Sequence, residues 1–116
     1  MKLKVRKVNQ MASGGSYVVI YDADVEMLHE PGTIVDVIST DPSDCAPELI
    51  ELARLAILRG AERALAPGGL SASIHVLHLV ISPSDFQPRR FEAFTAIELE
   101  QLIVNRSLAP MPRDGT

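Results

Sequence analysis

Apolar residues recur along the chain in two different periods, and the change from one to the other outlines the fold. Across residues 45–66, CAPELIELARLAILRGAERALA, the period is helical. With successive residues ~100° apart about the axis, Leu49, Ile50, Ala53, Ala56, Ile57, Gly60, Ala61 and Ala64 share one broad face. That face is apolar and small-sided, with Gly60 at its centre. It predicts a helix lying close against a sheet, an approach that justifies the ~1 kcal/mol glycine costs inside a helix relative to alanine. Pro47 suits the first turn, and Pro67-Gly68-Gly69 stops the helix. Glu51, Arg59, Glu62 and Arg63 occupy the opposite side, with Leu52 and Leu55 among them. Two leucines on a solvated face point to a second contact, with another element or another copy of the chain.

Elsewhere the period is two. Residues 2–8 read as a strand with Leu3 and Val5 on one side and Lys2, Lys4 and Arg6 on the other. Such a basic side is that of an edge strand, where lysines discourage edge-to-edge pairing, or else a phosphate contact. Residues 9–16, NQMASGGS, form a turn in which Gly14 and Gly15 are free to take positive φ. A long strand follows over 17–28, with Tyr17, Val19, Tyr21, Ala23 and Val25 on one face and Asp22, Asp24 and Glu26 on the other. Its two faces change character along its length, which predicts that the first half lies within a sheet and the second reaches an edge. Residues 29–32 turn the chain, and 33–40, TIVDVIST, form a third strand rich in β-branched residues.

After the helix comes a second long strand, 71–82. Strict alternation places Ile74, Val76, His78 and Val80 on one face and Ser73, His75, Leu77, Leu79 and Ile81 on the other, apolar on both sides and hence central. A proline-flanked loop, 82–88, leads to a short last strand over 89–94. Thr95 then opens a second helix as a capping box with Glu98, with Phe94 stapled to Leu99. Leu99, Leu102, Ile103 and Arg106 form its face. Residues 109–116, APMPRDGT, are expected to be a flexible tail behind a single domain of residues 1–108. The order β-β-β-α-β-(β)-α predicts an α+β two-layer sandwich, with helices on one side of a mixed sheet.

Composition adds mainly exclusions. A chain of 116 residues with 47% apolar content and net charge −4 supports its own core and lacks the broad basic surface of a non-specific nucleic-acid binder. A local basic patch remains compatible with it. The single cysteine, Cys45, makes no internal disulfide and has no metal-ligand spacing around it. No apolar run is long enough for a membrane span, and MKLKVRKV has no leader-like apolar core, so the expected location is cytoplasmic.

Candidate chemistry is sparse, and no cofactor or metal is expected. His75 and His78, three apart on a regular strand, fall on opposite faces and cannot share an ion. Cys45 precedes a helix N-terminus, which lowers a thiol pKa, but no histidine is near it in sequence. Asp22, Asp24 and Glu26 project three carboxylates from one strand face, as a metal site or a plain solvated face would. Ser13-Gly14-Gly15-Ser16 could cradle a phosphate but leads into a strand rather than a helix. Arg89 and Arg90 could meet an anion.

The stretch QMASGGSYVVI, residues 10–20, resembles the start of domain IV of elongation factor G, the bacterial translocation factor, where a serine-glycine-glycine loop leads into a tyrosine and a valine-rich strand. The order of elements keeps step over residues 8–106. The resemblance implies the fold of the second domain of ribosomal protein S5: a four-stranded mixed sheet, two helices on one face and a left-handed βαβ crossover. It implies contact loops at one tip, matched here by Ser13, Gly14, Gly15 and Ser16, with 82–88 second by position. Ser16 stands where the family has a basic residue and a further glycine, and 116 residues leave no room for a GTP-binding domain, so translocation itself is not implied. The expectation is a free-standing, non-catalytic module that binds RNA or the ribosome through Ser13 to Ser16 with Arg89 and Arg90. The alternatives are an interaction or homo-oligomeric module using Leu52 and Leu55, and a small enzyme using His78, Cys45 or the acidic strand.

Overall fold

A computed structural model of the chain describes residues 1–10 and 15–108, with side chains as far as Asn105. Ser13, Gly14 and the expected tail lie outside the described residues.

The alternating stretches pair into one mixed sheet: β1 (Lys2–Asn9), β2 (Tyr17–Leu28), β3 (Ile34–Val37), β4 (Thr40–Asp41) and β5 (Ser71–Val80), with helices α1 (Pro47–Leu65) and α2 (Pro88–Leu108). The order across the sheet is β1-β2-β5-β3, with β4 also paired to β5. β2 pairs antiparallel with β1 on one side and with β5 on the other, while β3 and β4 run parallel to β5. The architecture is therefore the α+β one the periodicity predicts, with one extra short strand. β2 meets the expectation only at its far end, where residues 26–28 pair with β5 alone; its first residues, 17–19, pair with β1 alone, and the stretch 20–24 is the part paired on both sides.

The extra strand has a local cause. On β5, Val76 pairs with Ala23 and His78 with Asp22, so Leu77 is a bulge with no partner on β2. The expected strand 33–40 breaks opposite it. Ser39 Oγ donates to the Leu77 carbonyl at 2.7 Å, and the Leu79 N–H donates to the Ser39 carbonyl at 3.0 Å. The bulge also overturns the alternation read for β5. Ile74, Val76, Leu79 and Ile81 all face the core, while His75 and His78 share the outer face, because one inserted residue shifts the phase of every side chain after it.

Both helices cover the other, inner face. Leu3, Val5, Val19, Tyr21, Ala23, Val25, Ile74 and Val76 of the sheet pack with Ala53, Ala56, Ile57, Ala61 and Leu65 of α1 and with Phe91 and Leu99 of α2, all nearly free of solvent. The apolar face read for α1 is the buried one. Gly60, however, serves a different neighbour from the expected sheet. A Cβ built on it would lie 2.4 Å from the Glu92 carbonyl oxygen and 2.8 Å from Thr95 Cβ, so the missing side chain is what lets α1 and α2 cross in backbone contact.

α2 departs most from expectation. Residues 89–94 are helical, Pro88 is the first helical residue, and the Gln87 carbonyl accepts from the N–H of Arg90 at 2.9 Å. Thr95 is therefore a helix-interior residue with no solvent exposure, its Oγ1 2.6 Å from Tyr21 Oη. A Thr-x-x-Glu sequence after a phenylalanine has the form of a capping box, but proline at the first turn and Phe91 one turn before Thr95 outweigh it. At the β3 edge, Arg54, held on Glu51 by two charge-assisted hydrogen bonds of 2.8 and 2.6 Å, donates to the Val35 carbonyl at 3.3 Å. That covers part of an edge otherwise open to strand addition.

Candidate functional site

Of the expected contact residues, those described, Gly15, Ser16, Arg89 and Arg90, fall at one end of the sandwich, where β1 ends, β2 begins and α2 starts. Gly15 has φ +80, a left-handed value natural to glycine, and delivers the chain to Ser16 and Tyr17. Gln87, just ahead of α2, donates its side-chain amide to the Ser16 carbonyl. Three residues on, the Arg90 guanidinium lies over the Tyr17 ring, 4.7 Å from its centroid. The segment before β2 and the start of α2, 71 residues apart at the Gln87–Ser16 bond, thus meet in one place.

The meeting point is layered. Tyr17 packs against Phe94 with centroids 5.4 Å apart, and Lys7 Nζ sits 5.9 Å from the Phe94 centroid while also approaching Glu98 at 3.6 Å. Arg89 and Arg90 are exposed and, among the described residues, neither is in a salt bridge. With Ala93 they line an open depression of about 290 Å³. The neighbouring acids are engaged elsewhere, Glu92 with Arg63 at 3.1 Å and Asp85 with the Ser82 hydroxyl at 3.2 Å. Two guanidinium groups outside any salt bridge among the described residues, a tyrosine ring under one of them and the exposed Gly15 thus lie together on an otherwise acidic chain. Sequence pattern named Gly15, Ser16, Arg89 and Arg90, reached Gln87 only by position within the loop 82–88 and Lys7 only as part of a basic run, and missed Phe94 and the place of Tyr17 in the site, because nothing local says that Gln87 reaches Ser16.

The other expected residues do not join this end. Leu52 is 46% exposed and Leu55 half-buried on the outer side of α1, while Cys45 packs at the margin of the core between the two layers. His78 lies on the opposite, outer face of the sheet, its Nδ1 3.4 Å from Ser39 Oγ, so His78 and Cys45 share no site. Asp22 and Asp24 are salt-bridged to Arg6, at 2.6 Å, and to Lys2. The Lys2 ammonium holds the Asp24 carboxyl below the usual carboxylate range. Among the described residues no group of three histidine, cysteine or acidic side chains could hold a metal ion, and no helix is long and apolar enough to cross a membrane.

No protein-family model matches the sequence, and no curated protein matches it significantly.

Proposed function

We propose that the chain is a binding module for single-stranded RNA, free or on a ribosomal surface, and that it binds through the end formed by Gly15 to Tyr17 and Gln87 to Arg90. The observation that carries this reading is the junction itself: Gln87 on Ser16 and Arg90 stacked on Tyr17. Stacked aromatic and guanidinium planes beside unpaired cations are the elements that hold unstacked bases and phosphates. The mixed sheet with both helices on one face and a β3-α1-β5 parallel crossover supports the resemblance to the translation-factor domain, whose contact loops lie at a tip.

Fluorescence anisotropy with a labelled oligouridylate at low salt tests it. Binding is expected to weaken steeply with salt. Arg89→Ala and Arg90→Ala are each expected to reduce the log-log salt slope by about 0.7, the value for one single-strand phosphate contact. Tyr17→Ala is expected to weaken binding about tenfold through lost stacking, at the low end of 1–3 kcal/mol per stacked base. No binding at low salt, or binding that ignores all three substitutions, overturns the assignment.

A further inference from the structure

The outer face of the sheet, which neither helix covers, brings together Ser73 and His75 of β5 and Asp36 of β3. In the paired register His75 stands opposite Asp36 on one side and Asp24 on the other, and Ser73 precedes it by two residues on the same face. His75 Nδ1 is 2.7 Å from Asp36 Oδ1, and His75 Nε2 is 3.2 Å from Ser73 Oγ. A carboxylate can only accept, so in the neutral imidazole the proton sits on Nδ1 and the Nε2 lone pair faces the serine hydroxyl. Lys2 occupies Asp24, the second carboxylate opposite His75, which leaves Asp36 to orient the ring. Hydroxyl, base and orienting carboxylate follow one another at the distances that activation of a serine requires.

Ser73 is 6% exposed and lies low between its cross-strand neighbours Glu26 and Ile34, the latter 59% exposed as an apolar wall. β5 is paired on both sides, so its amides serve the sheet, and charge developing on an attacked carbonyl oxygen is left to solvent. The arrangement therefore suits acyl donors whose leaving group departs with little help.

We propose that Ser73, His75 and Asp36 form an acyl-transfer site for activated esters, independent of the RNA-facing end. Ser73 Oγ attacks the carbonyl carbon while His75 Nε2 takes the hydroxyl proton. The tetrahedral intermediate collapses with cleavage of the bond to the leaving oxygen, which receives that proton from His75, and an acyl-serine remains. Water, deprotonated by the same nitrogen, then attacks the acyl-serine, releasing the carboxylic acid and restoring the serine. Asp36 is a positioning residue: it fixes the tautomer and steadies the imidazolium.

The test uses the full chain with p-nitrophenyl acetate, read as nitrophenolate release and as an acetyl-sized mass increase located by peptide mapping. An initial burst approaching one equivalent and an adduct on Ser73 are expected. Ser73→Ala abolishes both, and His75→Gln slows acylation by roughly 100-fold or more, in the range of general-base contributions. His75 is more exposed than Ser73, so its variant keeps the test decisive should Ser73→Ala perturb the sheet. In nitrogen-15 NMR the neutral His75 ring carries its proton on Nδ1, and Asp36→Asn is expected to move it toward Nε2 while slowing acylation, an effect that a purely structural ion pair would not have on the rate. Absence of a burst from the folded chain, an adduct on lysine instead of Ser73, or a burst unchanged in His75→Gln overturns the proposal.

Discussion

Gly60→Ala is expected to destabilise the fold by about 2–3 kcal/mol, in the range for overpacking a close contact. On a free helix the sign would be opposite, since alanine is favoured over glycine by ~1 kcal/mol. Here the added Cβ meets the Glu92 carbonyl oxygen at 2.4 Å, Thr95 Cβ at 2.8 Å and the Ala96 nitrogen at 3.2 Å. None of these is the loose end of a flexible side chain. Two are α2 backbone atoms, and Thr95 is pinned by its hydrogen bond to Tyr21. The helices must therefore move apart, and every dispersion contact along their crossing weakens together. Urea unfolding should show a lower midpoint with an unchanged slope. Arg59→Ala, at the exposed neighbouring position, should stay within about 0.5 kcal/mol of the parent. A stabilised Gly60→Ala would show that the helices do not touch there.

Gly60 also shows what is legible in a single sequence. Its place in a small-sided stripe is visible from the 3.6-residue period, and so is the helix itself, since Pro47 begins it and Leu65 is its last residue. Which neighbour the stripe meets is a tertiary fact, and at Gly60 it is the second helix rather than the expected sheet. β1 and β2 were readable almost to the residue because alternation held without interruption and one face was buried. β5 was not, because one bulged residue, Leu77, reverses the faces beyond it, and no composition signal distinguishes a bulged leucine from a core leucine. The same reversal moved His78 to the outer side of the sheet, beside His75. For α2, a local capping signature at Thr95 competed with a proline start seven residues earlier, and burial of Phe91 and Thr95 against Tyr21 favoured the earlier start.

At the candidate site the asymmetry was the same. Arg89 and Arg90 stand out as charges, and Gly15 as a turn residue, but Tyr17 reads as an ordinary strand apolar and Phe94 as a staple at the end of a short strand. Their contribution depends on a junction between the segment before β2 and the start of α2, and the only sequence-level pointer to it was the family resemblance of the loop around Gly15. The Ser73, His75 and Asp36 set was hidden for a related reason. Two of its members lie on one strand, but the third arrives through the parallel β3–β5 register, which requires the α1 crossover to be in place.

Tyr21→Phe is expected to be less stable than the parent at neutral pH and more stable in strong alkali, with the curves crossing near pH ~11. The Tyr21 phenol is fully buried and shares a 2.6 Å hydrogen bond with Thr95 Oγ1. Burial pushes its pKa well above the ordinary value; the Thr95 hydrogen bond opposes this more weakly, and the charge of Glu98 adds to it. The sign follows from linkage. Above pH ~10 the unfolded phenol loses its proton while the native one keeps it, so the unfolded chain binds fewer protons and stability falls by about 1.4 kcal/mol per pH unit. The contribution is complete below pH ~10 and drains away as pH rises toward the folded value. Removing the hydroxyl leaves Thr95 unpartnered, at a cost of about 1–2 kcal/mol, moderated where a helical threonine can turn its hydroxyl to a carbonyl one turn back. It also removes the alkaline liability. Every other side chain is common to the two proteins, so the difference between the two stability curves isolates Tyr21. Chemical unfolding of the pair across pH 8 to 12 reads it directly, and curves that stay parallel would mean that the phenol is not held protonated between β2 and α2.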